Sequence, residues 1–342
     1  MVMFPKIVSI TITDVCNLRC KMCGQWQSKR RKKNLQKVNS LPLSTWKKVI
    51  DEISHHKGTI ILIRGGEPFL YPSIIELLTF IKNRKIFVSI DTNGMLLEKY
   101  ADDIARLAVD NLVISVDGPE SIHDHVRGVV SSFRSIQDGL EALRQAEKRE
   151  GVLINKILCF VISRYSYRGL GEMPNVARQL KVGRIVIVPY YHFSRNTGAE
   201  YEKIMRKEFQ TSVSSWKGFH HEASGVDIKE FIKLFRSFKE NLEDIIHEPF
   251  MDFSEREYKI WFSNSHKEAR QRTCRNPQVL SDILPNGDVN FCVDFPDYII
   301  GNIRNSTLEQ IWNSQKADKF RSYLQKKSLP ICFRCGAQYI SG

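Results

Sequence analysis

The chain contains no run of 18 apolar residues, so it offers no transmembrane helix. Its first residues, Met1 to Ser9, lack the layout of a secretory signal. These two absences make the cytoplasm the expected compartment. Zinc-finger spacing, an RNA-binding aromatic motif and a helix-turn-helix signature are also missing, so nucleic acid is not an expected partner. Acidic residues are the scarcer charge, 38 against 51 Lys plus Arg, giving a formal net charge of +13. That excess suits an acidic partner or substrate, or simply a basic surface. What is present is ordinary for a soluble globular chain of 342 residues: 42% apolar and 26% charged. Eight cysteines stand out: Cys16, Cys20, Cys23, Cys159, Cys274, Cys292, Cys332 and Cys335. In a chain neither small nor evidently secreted, clustered cysteines read as metal ligands rather than disulfides.

Up to residue 189 short β-rich runs alternate with amphipathic stretches. The runs are Ile7–Thr13, Ile60–Arg64, Ile86–Asp91, Asn111–Asp117, Leu153–Ile162 and Arg184–Pro189. Trp46, Val49, Ile50 and Ile53 fall on one helical face, as do Phe133, Ile136, Leu140 and Leu143. Six such units predict an α/β fold, a partial (β/α)6 TIM-like barrel over 1–189 with its site at the C-terminal ends of the strands. Over 190–271 the rhythm stops. Phe231, Leu234, Phe235, Phe238, Leu242 and Ile245 recur at helical spacing, which predicts a mainly helical insertion, a substrate wall or lid. A small third unit is expected over 272–342. It opens with a hairpin, Val279–Leu284 and Val289–Val293, joined through Asn286-Gly287. An amphipathic helix around Leu308, Ile311 and Trp312 follows.

The chemistry concentrates in two places. Cys16, Cys20 and Cys23 form a C-x3-C-x2-C motif directly after the first strand. Three thiolates can hold three irons of a cubane cluster and leave the fourth open to another ligand; zinc is the competing occupant. Cys274, Cys292, Cys332 and Cys335 form the second set, enough to ligate all four irons, or a tetrahedral zinc. Cys159 lies alone in a β run and reads as a buried core thiol. His123 and His125 read as structural hydrogen bonders.

The first motif resembles the signature of the radical S-adenosylmethionine (SAM) superfamily. Gly65-Gly66-Glu67-Pro68 after the second strand resembles its GGEP motif, Asp91-Thr92-Asn93-Gly94 its TNG segment, and His123-Asp124-His125-Val126-Arg127-Gly128 its HDxxRG stretch. The order Cys274, Gly287, Cys292, Cys332-x2-Cys335 resembles the SPASM/twitch extension, here in the twitch form with one auxiliary [4Fe–4S] cluster, since no cysteine follows Cys335. The resemblance implies SAM on the open iron, reductive cleavage to a 5′-deoxyadenosyl radical, and hydrogen abstraction from a substrate. The auxiliary cluster then assists oxidation or bond formation. Gly65, Gly66, Glu67, Pro68, Asn93, Ser115 and Arg127 are the implied SAM-binding residues, with Glu67 accepting from the methionyl ammonium. Met22 stands where an aromatic often packs near the adenine. Asp294 is a candidate base near the auxiliary cluster. A flavodoxin- or ferredoxin-type protein is the implied reductant. Fifteen residues precede Cys16, an expectation against a fused leader-peptide-binding domain. The expected substrate is therefore a small metabolite, a sugar or lipid head group, and the charge balance suits a phosphorylated one. The alternatives are maturation of a ribosomal peptide or protein and, from another class, a non-catalytic electron-transfer protein, in which Glu67 and its glycines would have no purpose.

Overall fold

The computed structural model describes residues 4–27, 40–248, 253–263 and 274–336. Ten strands form one sheet. They are β1 (Ile7–Thr13), β2 (Ile60–Gly65), β3 (Val88–Thr92), β4 (Asn111–Ser115), β5 (Asn155–Ile162), β6 (Arg184–Pro189), β7 (Ile246–Glu248), β8 (Leu280–Ile283), β9 (Asp288–Asn290) and β10 (Gly301–Asn302). Their order is β10-β9-β8-β1-β2-β3-β4-β5-β6-β7. From β8 through β7 every pairing is parallel; β8–β9 and β9–β10 are antiparallel. Among the described residues the two ends of the sheet do not pair, so the barrel is open, and the six expected βα units stand at its centre in sequence order.

Strand alternation sorts the two faces. In β1, Val8, Ile10 and Ile12 are buried on one side while Ser9, Thr11 and Thr13 lie on the other. The outer face is covered by helices. Leu43–Ser54 buries the predicted Trp46, Val49, Ile50 and Ile53. That helix has no side-chain cap at Pro42, so packing holds it, at about 1.5–3 kcal/mol per buried aliphatic. Helix Ser132–Glu150 buries Phe133, Ile136, Leu140 and Leu143 and lies tight against Leu97–Arg106. A methyl on Gly139 would stand 2.6 Å from the Leu97 Cβ.

Two features depart from the sequence reading. Segment 190–271 supplies helices Arg195–Phe209, Ile228–Glu240 and Glu255–Phe262, but also β7, which extends the barrel sheet beside β6. The C-terminal hairpin forms as expected, yet it does not stand apart: β8 pairs in parallel with β1, Ser9 opposite Asp282. The Ser9 hydroxyl donates to Asp282 Oδ1 at 2.7 Å, fully buried. Leu280, Ser281, Asp282 and Ile283 are all buried, so this strand carries no alternation to announce a second partner. Among the described residues no helix is long and apolar enough to cross a membrane.

Candidate active site and cluster-binding loops

The cysteine loop leaves β1 at the C-terminal mouth of the barrel. Its base is fastened to the end of β2: Gly66 N–H donates to the Thr13 carbonyl and Glu67 N–H to the Val15 carbonyl, each at 2.8 Å. Gly65 has φ +149°, and a Cβ on Gly66 would fall 2.1 Å from the Val15 oxygen. Both positions therefore require glycine. Cys16, Cys20 and Cys23 are half-buried free thiols. Cys23 N–H donates to the Cys20 carbonyl at 3.1 Å, closing the C-x2-C turn, and Lys21 N–H donates to Val126 O at 2.9 Å. Donors reach the sulfurs from three elements: Leu18 N–H (3.4 Å) and Asn93 Nδ2 (3.9 Å) to Cys16, and Arg127 Nη1 (3.8 Å) to Cys20. Burial pushes the Cys20 thiol up to about 11, which Arg127 opposes; Cys16 is raised for the same reason. Met22 is buried inside this loop.

Glu67 is fully buried. Its carboxylate accepts from Phe69 N–H (3.2 Å), the Thr92 hydroxyl (2.8 Å) and Asn93 N–H (2.8 Å). It thus clamps the end of β3 to the end of β2, a structural task the motif did not announce, and has acceptor capacity left for one more donor. Burial raises its pKa to about 7 against the pull of those donors. Pro68 starts the short turn that Glu67 caps. The Asn93 amide reaches Asn17 Oδ1 at 2.7 Å, holding the β3 loop against the cysteine loop.

Arg127, at the end of helix Glu120–Arg127, carries a buried ion pair. Its Nε lies 2.7 Å from Asp117 Oδ2, with side chains 7% and 0% exposed. The contact is poorly angled for a hydrogen bond, and Arg127 Nη2 is buried with no partner among the described residues. His123 Nδ1 accepts from Asp117 N–H at 3.2 Å; burial and Arg127 push its pKa down to about 3. It is therefore neutral and structural, as expected. His125 is exposed, facing the Lys21 ammonium. Ser115 ends β4, half-buried, beside Cys159 on β5.

The second set is assembled differently. Cys274 precedes the short helix Asn276–Val279, Cys292 follows β9, and Cys332 and Cys335 flank a turn closed by Cys335 N–H on the Cys332 carbonyl at 2.9 Å. All four are half-buried. Burial raises Cys292, and the charges of Cys274, Cys332 and Cys335 raise it further, so the four share one neighbourhood. Cys292, Cys332 and Cys335 pack against the apolar core. Asp294 is a quarter exposed; it accepts from Tyr191 Oη at 3.0 Å and lies 3.6 Å from Arg64 Nη2. Asp297 fastens the insertion here, accepting from Tyr201 Oη at 3.2 Å and from Ser214 and Ser215 N–H.

Cys159 corrects its assignment as a core thiol. It is half-buried, paired with Ser115 on the inner face of the barrel, and under the electrostatic influence of Asp91, Asp117, Arg127 and Arg64. Sequence reasoning gave no role to Asn17, Arg64, Thr92, Asp117 or Tyr191, although Thr92 lies in the segment resembling the TNG motif. Polar residues at strand C-termini, where barrel sites collect, were the signal available for Arg64, Thr92 and Asp117.

The residues present fit iron–sulfur clusters. Sulfur-directed donors and a buried orphan guanidinium nitrogen surround the first set.

Comparison with known proteins agrees with this architecture. The radical SAM superfamily matches residues 10–173, and the SPASM iron–sulfur cluster-binding domain matches residues 274–336. The chain is 29% identical to the AdoMet-dependent heme synthase of Methanosarcina barkeri over 336 residues, 95% of this chain and 86% of that protein. With Fe-coproporphyrin III synthase of the same organism it shares 24% over 60% of its length, spanning 49% of that protein. It is 21% identical to the antilisterial bacteriocin subtilosin biosynthesis protein AlbA of Bacillus subtilis, over 99% of this chain and 68% of that one. In fold it resembles Streptococcus suis SuiB in a structure bound to its precursor peptide SuiA, with TM-score 0.64 at 18% identity, covering 98% of this chain and 71% of that one. The chain belongs to the radical SAM superfamily, as an enzyme with a C-terminal SPASM domain whose cofactors are SAM and [4Fe–4S] clusters.

Proposed function

We propose that Cys16, Cys20 and Cys23 hold the catalytic cluster, leaving one iron for SAM, and that Cys274, Cys292, Cys332 and Cys335 ligate one auxiliary cluster fully. The observation that carries this is the contrast in surroundings: donors and an orphan guanidinium nitrogen around the first set, apolar packing around three of the second. A reduced cluster held by these three cysteines would supply the electron for reductive cleavage of SAM.

The chain's own residues do the rest. Gly65 and Gly66 let SAM approach the backbone beside Pro68. The remaining acceptor site of Glu67 takes the methionyl ammonium, a charge-assisted contact. Arg127 Nη2 takes the methionyl carboxylate. Ser115 and Asn93 contact the ribose and Met22 packs near the adenine. Asp294, oriented by Tyr191 and Arg64, accepts a proton as the substrate is oxidised near the auxiliary cluster. The barrel wall excludes competing hydrogen donors. A flavodoxin- or ferredoxin-type protein delivers the electrons.

The substrate is a small organic molecule held in the barrel, with the wall over 190–271 covering it. Peptide maturation is the second reading, favoured by the likeness to SuiB with its precursor peptide. The test is anaerobic: reconstituted protein, dithionite and SAM should release 5′-deoxyadenosine, and a Cys20→Ala variant should release background only. Equal release from both would refute the assignment.

A further inference from the structure

The barrel interior carries a charge that the roles above leave largely unused. The register Thr11↔Arg64, Ile63↔Ile90 and Asp91↔Val113 sets Arg64 and Asp91 side by side on the inner faces of β2 and β3. Three carboxylates act on Arg64: Asp294, Asp91 and Asp282. The layer sets three carboxylates against one guanidinium; burial raises the pKa of Asp91 and Asp282, and Arg64 opposes that rise.

The carboxylates are not equivalent. Asp282 is fully buried and accepts from the Ser9 hydroxyl (2.7 Å) and the Asn290 amide (3.0 Å). Asp294 has Tyr191 and Arg64. Asp91 is open to the lumen, and among the described residues no hydrogen bond or ion pair reaches its carboxylate. Arg64, Asp294 and Cys159 act on it or are acted on by it, through space only. A second orphan lies at the same end of the barrel: Arg127, 6% exposed, leaves Nη2 without a partner, and Arg127 and Asp91 both act on Cys159. Under the reading above the methionyl carboxylate of SAM fills Arg127, which leaves Asp91 as the group whose missing donor a second bound molecule supplies. Asp91 stands two residues before Asn93, whose N–H binds Glu67 and whose amide faces Cys16. That is about 7 Å along the strand from the SAM-binding loops.

We propose that Asp91 is the specificity-determining residue of the barrel and takes a protonated amine of the substrate. This rests on the reading of the barrel mouth as the SAM site. It also reverses an expectation drawn from composition. The whole chain is basic, but the lumen is not, and a phosphorylated or polycarboxylate substrate would meet repulsion from Asp91, Asp282 and Asp294.

The test uses reconstituted full-length enzyme with SAM and dithionite, challenged with matched pairs: glucosamine against N-acetylglucosamine, and Nα-acetyl-lysine amide against its Nε-acetylated form. The readout is 5′-deoxyadenosine above the same protein's level without additive. The amine of at least one pair should exceed its neutral partner by about tenfold, the worth of one charge-assisted hydrogen bond. Which pair responds separates an amino sugar from a lysine side chain. Asp91→Asn should reduce that ratio to about one, and Asp91→Glu should retain part of it. Amines no better than their neutral partners in both pairs, or a preference that survives in Asp91→Asn, would overturn the proposal. Should Asp91→Asn fail to take up iron, the wild-type pairs still decide. Failure of the underlying reading looks different: no 5′-deoxyadenosine from the wild type under any condition.

Discussion

The two cysteine sets share one device and differ in everything around it. Both contain a C-x2-C turn closed by the same backbone hydrogen bond, Cys23 to Cys20 and Cys335 to Cys332. The first set completes itself locally, within one loop leaving β1. The second is collected from a hairpin, a short helix and the chain that follows helix Gln315–Lys326. Around the first lie polar groups: Asn93, Arg127 and a fully buried Glu67. Around the second lies the apolar core, with Phe295, three residues past Cys292, packed on Tyr191 and Phe193. Under the proposed assignment the shared turn gathers the thiolates, and the surroundings decide whether the metal keeps a vacancy.

The hardest way to break this comparison is to remove one ligand from each set. Cys20→Ala should lose about half the iron of a chain holding about eight, together with all 5′-deoxyadenosine formation. Cys292→Ala should lose a similar share of iron yet still cleave SAM. Iron analysis and chromatography of the product check both. Identical behaviour of the two variants would erase the distinction.

Arg127→Met should follow in size. It leaves Asp117 buried without its cation, at a cost of about 3–5 kcal/mol, whereas removing the exposed Arg134 from Glu120 should change little. Anaerobic denaturation measures both, and an Arg127→Met/Asp117→Asn double variant should recover part of the loss.

Glu67 sharpens the comparison through pH. Folded, it holds its proton up to about pH 7; its ordinary value is 4.5. Between these values the native state binds the extra proton, so stability without SAM should fall as pH rises through that window, by about 3 kcal/mol in all. Glu67→Gln should flatten the slope in denaturation curves taken across it. A slope equal to the wild type's would place the effect elsewhere.

The smallest effect concerns glycine. Gly66→Ala, whose methyl would meet the Val15 carbonyl, should cost about 1–3 kcal/mol and weaken SAM binding. Gly183→Ala meets nothing within 4 Å and should leave thermal unfolding almost unchanged.

Local features were legible in the sequence. The Cys16–Cys23 spacing, the six βα units and the Asn-Gly hairpin each depend on residues close together in the chain, and their periodicity or turn chemistry shows directly. What could not be read depends on distant pairing. Nothing near Leu280 signals that β8 will lie beside Ile7, and nothing near Glu67 signals that its oxygens will clamp Thr92 and Asn93. Cys159 misled because a β run in a barrel has one face toward helices and one toward the lumen. Alternation places Leu158 and Phe160 on the buried side and leaves the thiol facing inward. The same alternation hid Asp91, which reads as a strand end until the register sets it beside Arg64.

The central claim is that the cluster vacancy belongs to Cys16, Cys20 and Cys23. Electron paramagnetic resonance of the reduced protein, with and without SAM, tests it directly in the Cys20→Ala and Cys292→Ala variants. The cluster surviving in Cys292→Ala should change its spectrum when SAM is added, and the one surviving in Cys20→Ala should not. A SAM-sensitive signal in Cys20→Ala, or its absence in Cys292→Ala, would contradict the account.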